Sequence, residues 1–104
     1  KRLKIPVGVS FDTDVPKAMD LIVQATQGIE RILQDPPPSS RLIGFGDSAV
    51  NLELRVWIAS PEEGVRNVMS SVYLNIWELF REHKIQIPFP QRDIHIKDER
   101  LSRQ

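Results

Sequence analysis

Residues 50–58, VNLELRVWI, alternate strictly between apolar and polar side chains. Because successive side chains of a β-strand point to opposite faces, this pattern predicts a strand with one buried face. The predicted buried face consists of Val50, Leu52, Leu54, Val56 and Ile58. The predicted outer face consists of Asn51, Glu53, Arg55 and Trp57. A half-buried strand of this kind belongs in a sheet that other elements cover on one side only.

Three more stretches are typical of strands. Residues 3–11, LKIPVGVSF, alternate in the same way and predict an inward face formed by Leu3, Ile5, Val7, Val9 and Phe11. Pro6 favours an edge position or a bulge because proline cannot donate to a strand ladder. Residues 41–46 predict a short strand that pairs with 50–58 as an antiparallel hairpin, through a turn at Asp47-Ser48. A last strand is predicted at 92–97.

Two amphipathic helices separate these strands. The first is predicted to begin after the N-cap Asp14, with Pro16 in its first turn, and to run until Asp35, where Pro36, Pro37 and Pro38 follow. The second is predicted to begin with Ser60 as N-cap, Pro61 at the first position and Glu63 in a capping box, and to run to about Lys84. Its apolar stripe has Tyr73 and Trp77 beside it.

The predicted order is therefore β-α-β-β-α-β. This order predicts an α+β, ferredoxin-like fold, in which two helices cover one face of a four-stranded antiparallel sheet. We assign residues 1–97 to one such domain and residues 98–104 to a polar tail. No third helix is left for the other face of the sheet. That open face, with Trp57 among polar side chains, is a candidate contact surface.

Composition excludes several functional classes. The 104 residues include 14 basic and 14 acidic side chains, so the net charge gives no argument for nucleic-acid binding. The chain has no cysteine, which excludes thiolate chemistry.

Asp12 and Asp14 are better explained as a turn and a helix cap than as a metal or acid–base pair. His95 near Asp93 has no nucleophile motif nearby. We therefore expect no enzyme, no cofactor and no metal site.

Four segments of the chain carry a family resemblance. They are IPVGVSFDTD at the start, ILQDPPP after the first helix, GFGDSAVNLELRVWI across the hairpin, and IPFPQRDIHI at the end. In this order, from residue 5 to residue 96, they resemble the carboxy-terminal cytoplasmic domain of the small-conductance mechanosensitive channel (MscS) family.

The resemblance implies a function. Channels of this family are homo-heptamers in a prokaryotic plasma membrane that open under tension and release ions and small osmolytes during hypo-osmotic shock. Their membrane helices lie upstream, and seven copies of this domain form a hollow cage on the cytoplasmic side. By this resemblance the present chain is a cage and assembly domain of a longer protein, its partner is a further copy of itself, and it reaches the membrane only through upstream helices. The tail KDERLSRQ lacks the alternation that a terminal barrel strand would show. The family loop usually has an acidic or other residue among its prolines, whereas Pro36, Pro37 and Pro38 are consecutive here.

A cage wall needs contacts between identical subunits, and around a ring each contact joins two different patches. We expect candidate subunit-interface or structural residues in rigid, partly apolar segments outside the core stripes. They are Asp35, Pro36, Pro37, Pro38, Gly46, Asp47, Arg55, Trp57, Pro88, Phe89, Pro90, Gln91, Arg92 and Asp93. Phe89, between two prolines, could pack inward or across a subunit boundary.

Two other functions remain open at this point. A ferredoxin-like regulatory domain would bind a small molecule at a subunit interface. An RNA-binding domain would place aromatic and basic side chains on the open sheet face, but one tryptophan is not a stacking platform and the RNP signature is absent.

Overall fold

The computed structural model describes residues 1–88. The elements in chain order are β1 (Arg2–Val9), α1 (Val15–Gln24), β2 (Ser39–Phe45), β3 (Val50–Trp57), a short 3₁₀ helix (Pro61–Glu63) and α2 (Arg66–Glu82). The three strands form an antiparallel sheet in the order β1-β3-β2. The predicted last strand, 92–97, and the tail, 98–104, lie outside the described residues. Over residues 1–88 the fold is thus α+β with three strands and two helices.

The hairpin of β2 and β3 forms as predicted. Leu42 lies opposite Leu52, Phe45 lies opposite Val50, and the turn is closed by the Gly46 N–H, which donates to the Ala49 carbonyl over 2.7 Å. The register shifts between Leu42 and Gly44, which leaves Ile43 as the extra residue of a bulge. The sequence analysis did not predict this bulge.

The core lies between one face of the sheet and the two helices. The predicted alternation of β1 and β3 is confirmed, since Ile5, Val9, Leu54 and Val56 are 0% exposed. The helices complete this core with buried side chains at three- and four-residue spacing, which are Ala18, Leu21 and Ile22 of α1 and Val68, Val72, Ile76 and Phe80 of α2. Burying each larger apolar side chain contributes about 1.5–3 kcal/mol. The periodic stripes therefore hold both helices on the same face.

Phe11 does not face the core, and this prediction is wrong. β1 ends at Val9, and Phe11 is 55% exposed. The chain turns after β1, where the Thr13 N–H donates to the Ser10 carbonyl over 3.1 Å. The apolar alternation continues beyond the residue at which the backbone leaves the sheet.

Helix α1 ends at Gln24 instead of Asp35. The Thr26 hydroxyl donates to the Val23 carbonyl over 2.7 Å, and Gly28 has a φ of 81°, a conformation that ends a helix and that glycine adopts without strain. The apolar pattern continues beyond Gln24 to Leu33, but Ile32 and Leu33 do not belong to the helix. Ile32 is 3% exposed and forms an isolated antiparallel bridge with Ile58, whereas Leu33 is 37% exposed.

The capping box predicted at Ser60 is also wrong. Ser60 has a φ of 53° and its side chain makes no capping hydrogen bond, and Pro61–Glu63 forms only a 3₁₀ turn. Gly64, with φ 94° and ψ 161°, interrupts the helix, so α2 begins at Arg66. The predicted end near Lys84 is close to the observed end at Glu82.

Candidate functional site

The outward side chains of the three strands form the open face of the sheet. Within residues 1–88 no helix covers it. Its rows follow from the strand register: Lys4 and Ser39 flank Arg55, and Pro6 and Arg41 flank Glu53. Because side chains alternate along β3, Glu53 and Arg55 lie on the same, outward face of the sheet. The face predicted from β3 is therefore present, and β2 adds Arg41 to it.

The open face carries more positive than negative charge. The Arg55 Nε donates to the Glu53 carboxylate over 2.8 Å. This hydrogen bond, with the positive charges of Arg55, Lys4 and Arg41, lowers the pKa of Glu53 against an opposing effect of desolvation. Glu53 is thus one ionised carboxylate among several cations, and a surface with this charge pattern favours partners that bring acidic or hydrogen-bond-accepting groups.

Trp57 lies at one end of the open face, opposite Arg2 of β1. The side chain is 38% exposed, and the Trp57 carbonyl accepts a hydrogen bond from the Leu33 N–H over 2.8 Å. The backbone that carries the indole is thus held on one side by β1 and on the other by the segment after α1. The arrangement offers an aromatic ring to a partner from a rigid support.

The Asp35–Pro38 loop lies at the same end of the sheet as Trp57. The loop comes shortly after Ile32, which forms a bridge with Ile58, and directly before Ser39, which lies opposite Arg55. Asp35, Pro36 and Pro37 are exposed, and the Asp35–Pro36 peptide bond is cis. The structure therefore brings together two of the predicted groups, the proline loop and the Arg55–Trp57 pair.

The remaining candidates lie elsewhere. Gly46 and Asp47 form the hairpin turn at the opposite end of the sheet, and a Cβ at Gly46 would come within 3.2 Å of the Asn51 amide nitrogen. Pro88 is half-buried and lies two residues after Gln86, whose carbonyl accepts from the Ser10 N–H just beyond β1. Phe89, Pro90, Gln91, Arg92 and Asp93 lie outside the described residues.

A shallow depression on the open face was not predicted. It has a volume of about 240 Å³ and is lined by Pro6, Gly8, Ile43, Asn51 and Glu53 among others. Ile43 is brought to it by the bulge and is 55% exposed. The only signal in the sequence is Gly44, because glycine inside a strand often marks a bulge.

Asp12 and Asp14 have local structural roles. The Asp14 carboxylate accepts from the Lys17 backbone N–H over 3.2 Å and caps α1 as predicted, and the Ser10 hydroxyl donates to Asp12. Both line a polar pocket with Lys17, His83 and Lys84. In the described part of the chain, no group of three or more side chains is arranged to hold a metal ion.

Helix α2 exposes an aromatic pair near the edge of the sheet. Tyr73 and Trp77 are 38% and 49% exposed, and the Arg81 guanidinium lies 4.7 Å from the centroid of the Trp77 ring. The Tyr73 hydroxyl donates to the Pro6 carbonyl over 2.8 Å, and partial burial raises the pKa of Tyr73. Helical periodicity predicted that both residues lie beside the core stripe, but it could not predict the hydrogen bond from Tyr73 to β1.

Neither helix of the described region is long and apolar enough to cross a membrane.

Comparisons with known proteins agree on one family. The family model described as "Mechanosensitive ion channel MscS, C-terminal" matches residues 3–87. An "Uncharacterized MscS family protein" of Haemophilus influenzae is 37% identical over 97 residues, which cover 93% of this chain and 9% of the relative. The "Small-conductance mechanosensitive channel" of Helicobacter pylori (strain UM084) is 30% identical over 103 residues, which cover 99% of this chain and 37% of that channel.

A solved structure of a channel from the same family also matches this chain. The crystal structure of Helicobacter pylori MscS in its closed state superposes with a TM-score of 0.77 at 27% identity, over 88% of this chain and 36% of that one. The chain thus spans well under half the length of each of these relatives.

Proposed function

The chain belongs to the MscS family of mechanosensitive channels, as a C-terminal domain, and from this premise we propose that it is a cytoplasmic cage and assembly domain. In this proposal the longer protein releases ions and small osmolytes when hypo-osmotic shock stretches the membrane. The domain adds no pore of its own, and neither catalysis nor a cofactor is part of its role. It lies on the cytoplasmic side of a prokaryotic plasma membrane, held there by helices in other parts of the protein.

The observation that supports an assembly role is the open face of the sheet. It is a rigid surface of three strands that combines the exposed Trp57 ring with the Glu53–Arg55 pair, next to the exposed proline loop. Interfaces between subunits are enriched in tryptophan and arginine, which often account for much of the binding energy. We propose that Arg55, Trp57 and Asp35–Pro38 contact the neighbouring subunit.

The proposed assembly is a homo-heptamer. In a closed ring of identical copies each contact is heterologous, so the open face of one copy must meet a different surface of the next copy. Gly46 and Asp47, at the other end of the sheet, are proposed as part of a structural turn that keeps β2 beside β3.

The ferredoxin-like fourth strand also remains a proposal, as does the division into a domain at 1–97 and a tail at 98–104. β1 has no strand on its second side among the described residues, and a fourth strand of this fold would pair there. Pro6 has no N–H, and its carbonyl already accepts from Tyr73. Pairing is therefore expected at Arg2–Lys4, before Pro6 in β1.

Native mass spectrometry of the full-length channel tests the proposed contacts. Trp57→Ala and Arg55→Ala should each shift the population from heptamer to smaller species, because they remove the aromatic and cationic groups of the open face. Phe45→Ala is a matched control, since Phe45 is 73% exposed on β2 but does not belong to the proposed contact. A heptamer that is unchanged in both variants would show that these residues are not at the interface.

The depression of about 240 Å³ favours a second candidate function, a small-molecule-sensing regulatory domain. Pockets for small ligands are usually concave and apolar with a few polar groups, and this one combines Pro6 and Ile43 with Asn51 and Glu53. Isothermal titration calorimetry against amino acids and nucleotides distinguishes the two functions. Saturable binding at micromolar concentration that Asn51→Ala abolishes would support sensing.

A further inference from the structure

The segment after α1 continues the sheet beyond the end of β2. The Leu33 N–H donates to the Trp57 carbonyl over 2.8 Å. The Ala59 N–H donates to the Arg31 carbonyl over the same distance. Because β1 occupies the other edge of β3, where Arg2 lies opposite Trp57, this segment lies along the edge of β3 that also carries β2.

The Asp35–Pro38 loop is therefore anchored to β3 on both sides. Before the loop, Leu33 is bonded to Trp57, and directly after it Ser39 lies opposite Arg55. The two anchor points are two positions apart on β3, and residues 34–38 connect them. The placement of the loop relative to the Trp57 ring thus depends on how firmly the segment before the loop is bound to β3.

The Arg31 side chain reinforces this short pairing. Its guanidinium donates to the carbonyls of Ala59, Ser60 and Gly64, over 3.4, 2.7 and 2.6 Å. Ser60 has a φ of 53°, a left-handed conformation that residues other than glycine adopt at an energetic cost. The hydrogen bonds from the charged guanidinium help to offset this cost, because they are stronger than bonds between neutral groups. Arg31 thus fastens the segment after α1 to the turn that follows β3.

The hydrogen bonds of Arg31 are directed into its own domain. The side chain is half-buried, whereas Trp57 and Asp35 are exposed. Its charged group is used to hold main-chain carbonyls of the turn before α2. An effect of Arg31 on a neighbouring subunit is therefore expected to pass through the residues that it holds in place.

We propose that Arg31 is a positioning residue for the subunit contact. It holds residues 31–33 against residues 57–59 and so fixes Trp57 and the Asp35–Pro38 loop as one preformed surface. This inference rests on the proposed function, in which that surface meets the next subunit. A surface that is already ordered before binding loses less conformational entropy on association, so Arg31 favours assembly without touching the neighbour.

A double-mutant cycle in the full-length channel, followed by native mass spectrometry, tests this role. Arg31→Ala should lower the heptamer fraction several-fold. In a Trp57→Ala background the same substitution should cause a smaller further loss, because one of the groups that Arg31 positions is already absent. Arg31→Lys should restore little, since an ammonium group cannot bind the same carbonyls in a fork.

Ile76→Ala is the control for general destabilisation. Ile76 is 2% exposed in the core under α2, so its truncation weakens the domain without altering residues 31–33 or 57–59. It should lower the heptamer fraction much less than Arg31→Ala. If Trp57→Ala left the heptamer intact, the proposed contact itself would be wrong. If Trp57→Ala disrupted the heptamer but Arg31→Ala did no more than Ile76→Ala, only the positioning role would be wrong.

The motion of the Trp57 ring provides a measurement that does not depend on assembly. In the 104-residue chain, a Trp77→Phe background leaves Trp57 as the single tryptophan. Time-resolved fluorescence anisotropy should show a larger amplitude of nanosecond local motion at Trp57 after Arg31→Ala and no change after Ile76→Ala. Equal motion of Trp57 with and without the Arg31 side chain would overturn the proposal.

Discussion

At the scale of single residues, Arg31 connects two segments that are far apart in the sequence. Its guanidinium donates to the carbonyls of Ala59, Ser60 and Gly64, over 3.4, 2.7 and 2.6 Å, and its own carbonyl accepts from the Ala59 N–H over 2.8 Å. The turn before α2 is thus stabilised by a side chain from the segment after α1. Only arginine carries enough donors in a planar group for this arrangement.

Arg31→Ala should therefore lower the free energy of unfolding by about 2–4 kcal/mol, since hydrogen bonds from a charged donor contribute about 1.5–3 kcal/mol and part-buried carbonyls lose their partner. Arg31→Lys should recover little, because an ammonium group cannot reach the same carbonyls in a fork. Urea denaturation followed by circular dichroism measures both. Arg66→Ala, at an exposed position in the first turn of α2, is the control and should change stability by less than about 0.5 kcal/mol.

The difference between Asp14 and Arg31 shows what the sequence could predict at this scale. The cap by Asp14 depends on a backbone N–H three residues away, so a local pattern was sufficient. The partners of Arg31 lie 28 to 33 residues away. Nothing in its neighbourhood in the sequence distinguishes it from an ordinary surface arginine, and only the fold brings its acceptors to it.

Glu53 gives a pH-dependent prediction. Its pKa is lowered, first by the hydrogen bond from Arg55, so its ionised form stabilises the fold above the ordinary pKa of glutamate. That contribution should be lost as the pH falls through the lowered pKa of the folded state. The stability difference between the unsubstituted chain and Glu53→Gln should thus be present at pH 7 and shrink toward pH 3, as measured by urea denaturation. In an Arg55→Ala background the pH-dependent part should be smaller, and an equal dependence in both backgrounds would contradict the assigned cause.

At the scale of elements, two glycines determine where the helices begin and end. The apolar periodicity of the first helical segment continues to Leu33, but α1 stops at Gln24, shortly before Gly28. The favourable start at Ser60-Pro61 yields only a 3₁₀ turn, because Gly64 follows with a positive φ. Periodicity correctly predicted most of the buried residues of both helices, although Leu33 is 37% exposed. It could not show that Ile32 reaches the core through a bridge to Ile58, since that contact depends on the position of β3.

Gly64→Ala tests this role of the backbone. A Cβ at Gly64 would meet no atom of the described chain within 4 Å, so the substitution causes no crowding. The combination of φ 94° and ψ 161° is nevertheless accessible almost only to glycine, and we expect a loss of about 1–3 kcal/mol in the free energy of unfolding.

Gly44→Ala is the matched control for this substitution. Gly44 also has open space at its Cβ, and its φ is not in the positive range. The free energy of unfolding should stay the same or rise by about 0.4–1 kcal/mol, because alanine restricts the unfolded chain. Equal losses at both positions in a thermal or urea titration would show that the backbone conformation of Gly64 is not the cause.

At the scale of the whole molecule, the two faces of the sheet differ in burial and in the side chains that they carry. One face is closed by α1 and α2 and holds the core, whereas the other presents Arg55, Trp57 and the neighbouring proline loop. The sequence was sufficient to predict this division because alternation along β3 reports both faces at once. It was not sufficient to show that the Asp35–Pro38 loop lies at the same end of the sheet as Trp57, since that depends on the pairing of Ser39 with Arg55.

This division predicts which surface becomes inaccessible in the assembled channel. Ser39 is exposed on the open face beside Arg55, and Gln24 is exposed at the end of α1. In a full-length channel without other cysteines, Ser39→Cys should react with a bulky maleimide several times more slowly than Gln24→Cys, because in the proposed assembly a neighbouring subunit covers the open face, and a thiol must be accessible to react. In the 104-residue chain at low concentration the two thiols should react at similar rates. Rapid labelling of Ser39→Cys in the heptamer would show that the open face borders solvent, and the subunit contact would then have to lie on another surface.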